Sequence, residues 1–411
     1  MSKENFDVII IGGGIVGLTI AYLISEKNKN LKLLIIDKEK KIGLHSSGRN
    51  SGVLHAGIYY KPETLKAKVS VKGAKILKEW CNEESIPVLT CGKVISPQLI
   101  ELDPQLDILL ARGKKNGAKV DLIDSKDFYK LVPDGRTSSG RALWSPNTCV
   151  VKPYLVLKRL KMILEERGVI FSLSSNILNF SPKEKSITLK RQDLKDLFEK
   201  KYYGHLFNCS GLQADRIAKK FCLAKDLSIL PFKGIYWALK NDAPFNFKTN
   251  LYPVPNLNVP FLGVHVTPTP DGEVTLGPTA VPAFGRENYR GISNLEPLMS
   301  INFISVIINQ FILNKGGFRQ YALDQALQGL KPIFLNSAKL LVPKIESKHL
   351  TLSSKVGIRA QLFNKKEKKL VDDFYLETDS SSTHVLNSIS PAFTASFALA
   401  ELIIEKSELK I

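Results

Sequence analysis

The chain opens on a short apolar run, Phe6-Asp7-Val8-Ile9-Ile10-Ile11. It is rich in β-branched residues and too brief for a helix, so it reads as a buried parallel strand. A glycine cluster follows at once, Gly12-Gly13-Gly14-Ile15-Val16-Gly17, and Leu18, Ile20, Ala21, Leu23 and Ile24 then give an apolar helix. Leu31–Ile36 is a second buried strand, ending at Asp37. Farther along, Phe207–Ala218 reads as strand, turn and helix. Tyr252–Gly277 alternates, with Pro and Gly at turn spacing, as antiparallel strands do. Leu298–Leu313 has helical periodicity, and Pro297 is placed to open that helix. Ser390 reads as the N-cap, and Pro391 as the first helical residue, of a last apolar helix over Ala392–Ile404. No internal repeat or low-complexity linker interrupts the pattern.

Strand, glycine turn, helix, strand and acid together form the fingerprint of dinucleotide binding. Gly12 permits the tight turn, and Gly14 lets the backbone approach a pyrophosphate at the helix N-terminus, where free N–H groups and the helix dipole favour an anion. Gly17 allows helix and strand to pack closely. Asp37 is placed to accept hydrogen bonds from ribose hydroxyls. The fingerprint alone does not separate NAD from FAD. It is followed by a long stretch, Lys38 to Tyr60, dominated by small polar residues and glycines. Structureless segments of that length usually wrap a ligand.

At 411 residues the chain is long enough for two to three domains, and 44% apolar with 24% charged residues is a globular composition. No apolar run approaches the ~20 residues of a membrane-spanning helix. Met1–Asn5 runs straight into the first strand, leaving no room for a signal peptide. These features argue against an integral membrane protein, a secreted mini-protein and a fibre. The five cysteines, Cys81, Cys91, Cys149, Cys209 and Cys222, are odd in number and lack CxxC spacing. That argues against a disulfide framework and against a metal site, and suits buried thiols in a reduced, cytoplasmic setting. The formal net charge is +19, but lysine supplies most of the 58 basic residues, as compositional bias alone would. Part of the charge lies in two hydrophilic stretches, Lys183–Lys201 and Lys365–Lys369, which read as solvated loops or hairpin tips. No aromatic-and-basic recognition motif accompanies it, so no nucleic acid is expected as a partner and an RNA-associated flavoprotein is a remote alternative. The charge also suits peripheral contact with the inner face of an anionic membrane.

Four separated blocks make the sequence resemble the FAD-dependent oxidoreductases of the D-amino-acid oxidase type, and within them the L-2-hydroxyglutarate oxidase/dehydrogenase group. The first is Ser47-Gly48-Arg49-Asn50-Ser51-Gly52-Val53-Leu54-His55-Ala56-Gly57-Ile58-Tyr59-Tyr60-Lys61-Pro62. The second is Pro260-Phe261-Leu262-Gly263-Val264-His265-Val266-Thr267, and the third Gly357-Ile358-Arg359-Ala360-Gln361. The fourth is Asn387-Ser388-Ile389-Ser390-Pro391-Ala392. They come in the family's order and span nearly the whole chain. Asn208-Cys209-Ser210-Gly211 supports them. Lys233 stands where the family more often has Arg, Arg49 where His is frequent, and Thr279 where Asn is usual; these departures bear on substrate preference.

The resemblance implies an α/β protein with a discontinuous Rossmann-like FAD-binding domain over residues 1–87, 151–228 and 346–411. A mixed α+β substrate domain built on an antiparallel sheet would occupy 88–150 and 229–345. FAD would be held by Gly12, Gly14, Ile15, Val16, Gly17, Asp37, Lys38, Ser46, Ser47, Asn50, Ser51, Gly52, Ile177, Ser210, Gly211, Gly357, Ser390, Pro391 and Ala392. The implied reaction is oxidation of L-2-hydroxyglutarate to 2-oxoglutarate by hydride transfer from C2 to the flavin. Another 2-hydroxy or amino acid is the alternative substrate, and the electron acceptor, oxygen or a quinone or carrier, is not readable. Such chemistry needs a base for the hydroxyl proton and clamps for carboxylates. His55 and His265 compete for the first role. Arg359 suits the 1-carboxylate, which a planar guanidinium grips with two parallel hydrogen bonds. For a second carboxylate the candidates are Lys233, Arg49, Tyr59 and Tyr60.

Overall fold

The computed structural model describes residues 4–192, 198–255, 257, 263–314, 319 and 327–409. Pro260–Leu262 of the second block, and residues 193–197 of the first hydrophilic stretch, lie outside them. Contacts divide the chain into two units: residues 1–50, 153–230 and 360–411 form the first, and residues 51–152 and 231–359 the second.

In the first unit the apolar run folds as the strand Glu4–Ile11. It pairs in parallel with Leu33–Ile36 on one side and with Phe198–Asn208 on the other. Ile170–Ser172 extends the parallel sheet beyond Leu33–Ile36, and Ser382–Asn387 extends it beyond the end of Phe198–Asn208. The start of that long strand pairs instead with Ser186–Arg191, which begins an antiparallel hairpin with Ser175–Ser181. Both faces of the parallel strands are apolar because helices cover them. Ile15–Lys27 packs against Pro153–Glu166 and Ser396–Lys406. The second strand begins two residues later than its apolar run, since Leu31 and Lys32 remain outside the ladder.

The second unit is built on a mostly antiparallel sheet. Its strands run in the order Leu227–Leu239, Val274–Gly277, His265–Pro268, Asn250–Pro253, Lys93–Ser96, Arg141–Ser145 and Asp121–Asp124. Only Asn250–Pro253 and Lys93–Ser96 run parallel among these neighbours. Side chains alternate across such a sheet. Val94, Leu251, Val266 and Leu276 enter an apolar core with Phe128, Phe334 and Val342 on one face. On the other face Ile95 and Tyr252 pack with Ile58, Leu106 and Leu109.

Three expectations need correction. The first concerns the domain boundaries. Residues 51–87 fall in the second unit, because Val53–Leu54 and Val88–Leu89 both pair with Cys149–Val151 and the helix Leu65–Glu83 packs on Val88–Leu89. Residues 346–359 also fall there. Second, Ser390 is not a helix N-cap. Residues 390–395 are turns, stitched by Ala392 N–H to Ile389 O and Ala395 N–H to Pro391 O, and the helix begins at Ser396. Third, Cys222 is exposed, although Cys81, Cys91 and Cys149 are buried.

Pro297 does open a helix, Pro297–Leu313, in which Phe303 is buried while Leu298, Ile301, Ile308 and Ile312 are exposed. Among the described residues no helix is long and apolar enough to cross a membrane.

Candidate active site

In the first unit the glycine turn lies at the carboxyl end of the central strand, where open parallel sheets bind ligands. Gly12 has φ +108°, and a Cβ there would stand 2.5 Å from Cys209 O. A Cβ on Gly17 would stand 2.2 Å from Gly12 O. Both positions therefore exclude a side chain, and they draw Ser210 and Gly211, on the adjoining strand end, against the turn. Gly14 caps the helix without offering a side chain, so the cap residue itself leaves the helix's positive end to other acceptors, an anion among them. Ile15 N–H donates to Ser47 Oγ at 2.9 Å, which ties the following loop to that end. Asn50 Nδ2 donates to Ser46 O and Ser47 O, and Arg49 Nε donates to Leu44 O, so these side chains brace the loop. Arg49 thus supports the turn.

Asp37 accepts from Gly13 N–H at 2.8 Å and from Glu39 N–H at 2.9 Å. Burial lifts its carboxyl above the usual range against those two donors. Each oxygen retains a second lone pair for a ribose hydroxyl. Lys38 Nζ pairs with Glu39, which also meets His45 Nε2 at 3.0 Å. Glu39 was missed by the sequence reading and carries no signal there beyond following Asp37-Lys38. Ile177 sits opposite Leu189, beside an irregularity in the hairpin. Ser390, Pro391 and Ala392 lie in the turns before the last helix. A glycine turn without room for side chains, an open helix end and an acid with spare lone pairs fit the nucleotide end of FAD. Ser51, Gly52 and Gly357 belong to the second unit.

In the second unit the sheet brings a buried polar cluster together. Register explains how. Asn250 pairs with Lys93, Tyr252 with Ile95, Leu251 with Val266, and His265 with Gly277. Lys93, Tyr252 and His265 consequently share one face, opposite the core that holds Val94, Leu251 and Val266. This settles the direction of His265, which the sequence left open.

Tyr252 stacks on His265 with ring centroids 3.9 Å apart. His265 Nδ1 lies 3.0 Å from Gly263 O, and since a carbonyl only accepts, Nδ1 carries the proton and Nε2 the lone pair. Lys93 Nζ lies over the rings of Tyr59 and Tyr252, 4.9 Å from each centroid. His55 belongs to the same cluster: its imidazole is held well below its ordinary value by burial, then by the charges of Lys93, His265 and Arg359. Burial pushes His265 down to about 3, assisted by Lys93 and Arg359 and opposed by the Gly263 carbonyl. Arg359 also acts on Tyr236, which burial pushes up to about 12. Both imidazoles are therefore neutral at physiological pH.

His55, His265, Arg359 and Tyr59 are thus brought together. Tyr60 lies next in the chain, its ring 5.8 Å from Lys66 Nζ. Lys233 takes a different course: its Nζ donates to Asn288 Oδ1 at 2.9 Å, and the groups acting on His55 and His265 do not include it. Lys93 was missed by the sequence reading. Its signal was a lysine set directly before Val94-Ile95 in a strand-like run, where a charge is unusual. The remaining histidines are structural: His205 bonds Thr383, His384 bonds Asn208 and Ser382, and His349 completes a capping box with Glu346.

Residues 7–406 match the family model described as "FAD dependent oxidoreductase". A protein of Caenorhabditis briggsae named "L-2-hydroxyglutarate dehydrogenase, mitochondrial" is 34% identical over 98% of this chain and 93% of its own length. The "L-2-hydroxyglutarate dehydrogenase" of Indibacter alkaliphilus is 34% identical over 98% of both chains. Among solved structures, the L-alpha-glycerophosphate oxidase of Mycoplasma pneumoniae with FAD bound superposes with a TM-score of 0.75, at 22% identity, over 99% of this chain and 96% of that one. Glycine oxidase from Geobacillus kaustophilus gives 0.72 at 15% identity, over 99% and 96%. At these identities the two structures attest the fold.

Proposed function

Since the chain belongs to the family of FAD dependent oxidoreductases, we propose that it oxidises L-2-hydroxyglutarate to 2-oxoglutarate. FAD, when bound, supplies the acceptor for the hydride that leaves C2. The nucleotide end of FAD is assigned to Gly12, Gly14, Gly17, Asp37, Ser47 and Ser210 of the first unit. The substrate is assigned to the buried cluster of the second. Arg359 grips the 1-carboxylate with two parallel hydrogen bonds and fixes the orientation of C2.

His55 takes the hydroxyl proton. A neutral imidazole is the form that can accept it, and burial keeps His55 neutral. His265, with its Nδ1 proton held by Gly263 O and its face covered by the Tyr252 ring, orients the hydroxyl instead. The observation that carries this reading is that Lys93, Tyr252 and His265 share one sheet face, with the charges of Lys93 and Arg359 acting on both His55 and His265. The test is an anaerobic visible spectrum, taken before and after adding L-2-hydroxyglutarate, its D-isomer, lactate, glycerol 3-phosphate and glycine. Bleaching of the flavin by the L-isomer alone is expected. A flavin that stays oxidised with L-2-hydroxyglutarate but bleaches with another compound overturns the substrate assignment.

A further inference from the structure

Lys93 is the largest charged side chain with no exposure at all, and among the described residues its Nζ has no hydrogen-bond partner. Three other basic groups of this unit are ion-paired instead. Lys152 pairs with Asp271, Arg141 with Asp103 and Asp107, and Lys130 with Asp127, all with partly exposed side chains. Burying an ammonium without an anion is costly, and two tyrosine rings offset only part of that cost. Tyr59 Oη, beside it, also lacks a hydrogen-bond partner among the described residues. Buried polar atoms left open together mark a place where a ligand completes the bonding.

The sign of that ligand follows from the neighbours. The groups whose charges act on His55 and His265 are cationic: Lys93 and Arg359, with the second histidine. The groups facing Lys93 that can become anions are Cys91, Tyr59 and Tyr252, and burial pushes all three up, the thiol to about 11, so they stay neutral. The cluster therefore offers two basic groups, and no carboxylate is among the described groups whose charges act on Lys93 or His265, which complements a ligand with two carboxylates.

We propose that Lys93 is the binding residue for the second carboxylate of the substrate, and so the residue that makes the site prefer dicarboxylates over monocarboxylates of equal length. The inference rests on the substrate reading given above. Tyr59 and Tyr252 form the tray that holds the ammonium in place, and Tyr59 Oη is positioned to donate to the same carboxylate. The sequence candidate Lys233 is not needed for this role, since its Nζ is already engaged by Asn288.

The test compares glutarate with pentanoate, two redox-inert acids of equal carbon number, by their perturbation of the bound flavin spectrum in the holoenzyme. Wild type is expected to bind glutarate about a hundredfold more tightly, the worth of one well-formed charge-assisted contact. In Lys93→Met the ratio should collapse towards one. A preserved preference in Lys93→Met, or no preference in wild type, overturns the proposal. Should the variant fail to fold, calorimetry of wild type in two buffers decides. Glutarate binding at pH 8 should take up close to one proton, because the carboxylate re-protonates a lysine otherwise held at about 7; binding without proton uptake overturns the assignment. A flavin left oxidised by L-2-hydroxyglutarate would refute the substrate reading alone, and the glutarate ratio would still judge Lys93.

Discussion

The ring of Tyr252 lies nearly parallel to the imidazole of His265, with 20° between their planes. The imidazole is thereby fixed by a ring on its face and by Gly263 O at its edge. Tyr252 itself is fully buried. Tyr252→Phe should retain the stack and most of the stability. Tyr252→Ala should cost about 3–5 kcal/mol, the usual loss for removing a buried aromatic side chain. Denaturant unfolding checks the pair. If the tyrosine positions His265, the Phe variant should also keep the ordinary kcat.

Removing the proton acceptor should slow chemistry without emptying the site. His55→Ala is expected to lower kcat by roughly 10²–10⁴-fold, the range a positioned base contributes. His265→Ala should lose less in kcat. Stopped-flow reduction of the flavin separates the two, and a larger loss for His265→Ala would exchange their roles.

Arg359→Ala should act on substrate binding. Two charge-assisted hydrogen bonds are worth about 3–6 kcal/mol together, so kcat/KM should fall by roughly 10²–10⁴-fold. Arg359→Lys should recover little of it, since an ammonium cannot supply the fork. Steady-state kinetics on the three proteins reads the difference.

Gly17→Ala should yield a protein that purifies with little flavin. The added Cβ meets Gly12 O at 2.2 Å, a backbone atom that can move only by opening the turn. The ratio of flavin to protein absorbance measures it. Asp37→Ala should weaken FAD retention less, because the turn stays closed.

Stability should fall on acidification. Burial holds His205 and His384 at about 4, against an ordinary value of 6.5. Between those limits the unfolded chain takes up protons that the native state declines, so stability present above pH 6.5 is lost as pH drops towards 4. Lys93 acts on the alkaline side. Held at about 7 against 10.5, it releases its proton in the native state first, so its contribution becomes more favourable as pH rises from 7 to 10.5. Differential scanning calorimetry across pH should show the acid loss, and Lys93→Met should flatten the alkaline gain.

The nucleotide cradle was legible because its signals are local. Strand, glycine turn, helix and acid occupy one continuous stretch, and Gly12, Gly17 and Asp37 sit where that grammar puts them. The substrate cluster was less legible because register, which no single strand encodes, decides which side chains share a face. His265 could be named but not aimed until Leu251 was seen opposite Val266. Lys93 was one lysine among many until the pairing of Asn250 with Lys93 placed it beside Tyr252. Ser390-Pro391 misled for the opposite reason: a sound local cap signal was overridden by the turns that join Ser382–Asn387 to the last helix.

The division of the chain has a consequence for biosynthesis. The fingerprint is synthesised long before the segments that complete its unit, yet its helix Ile15–Lys27 packs on Ser396–Lys406, with Thr19 Oγ1 donating to Ser396 O at 3.3 Å. Its sheet likewise waits for Ser382–Asn387. During synthesis the nucleotide-binding unit therefore stays an incomplete sheet with an uncovered apolar helix while the intervening segments are made. A nascent chain halted before residue 382 should need chaperone protection and hold no flavin, despite carrying every glycine of the motif.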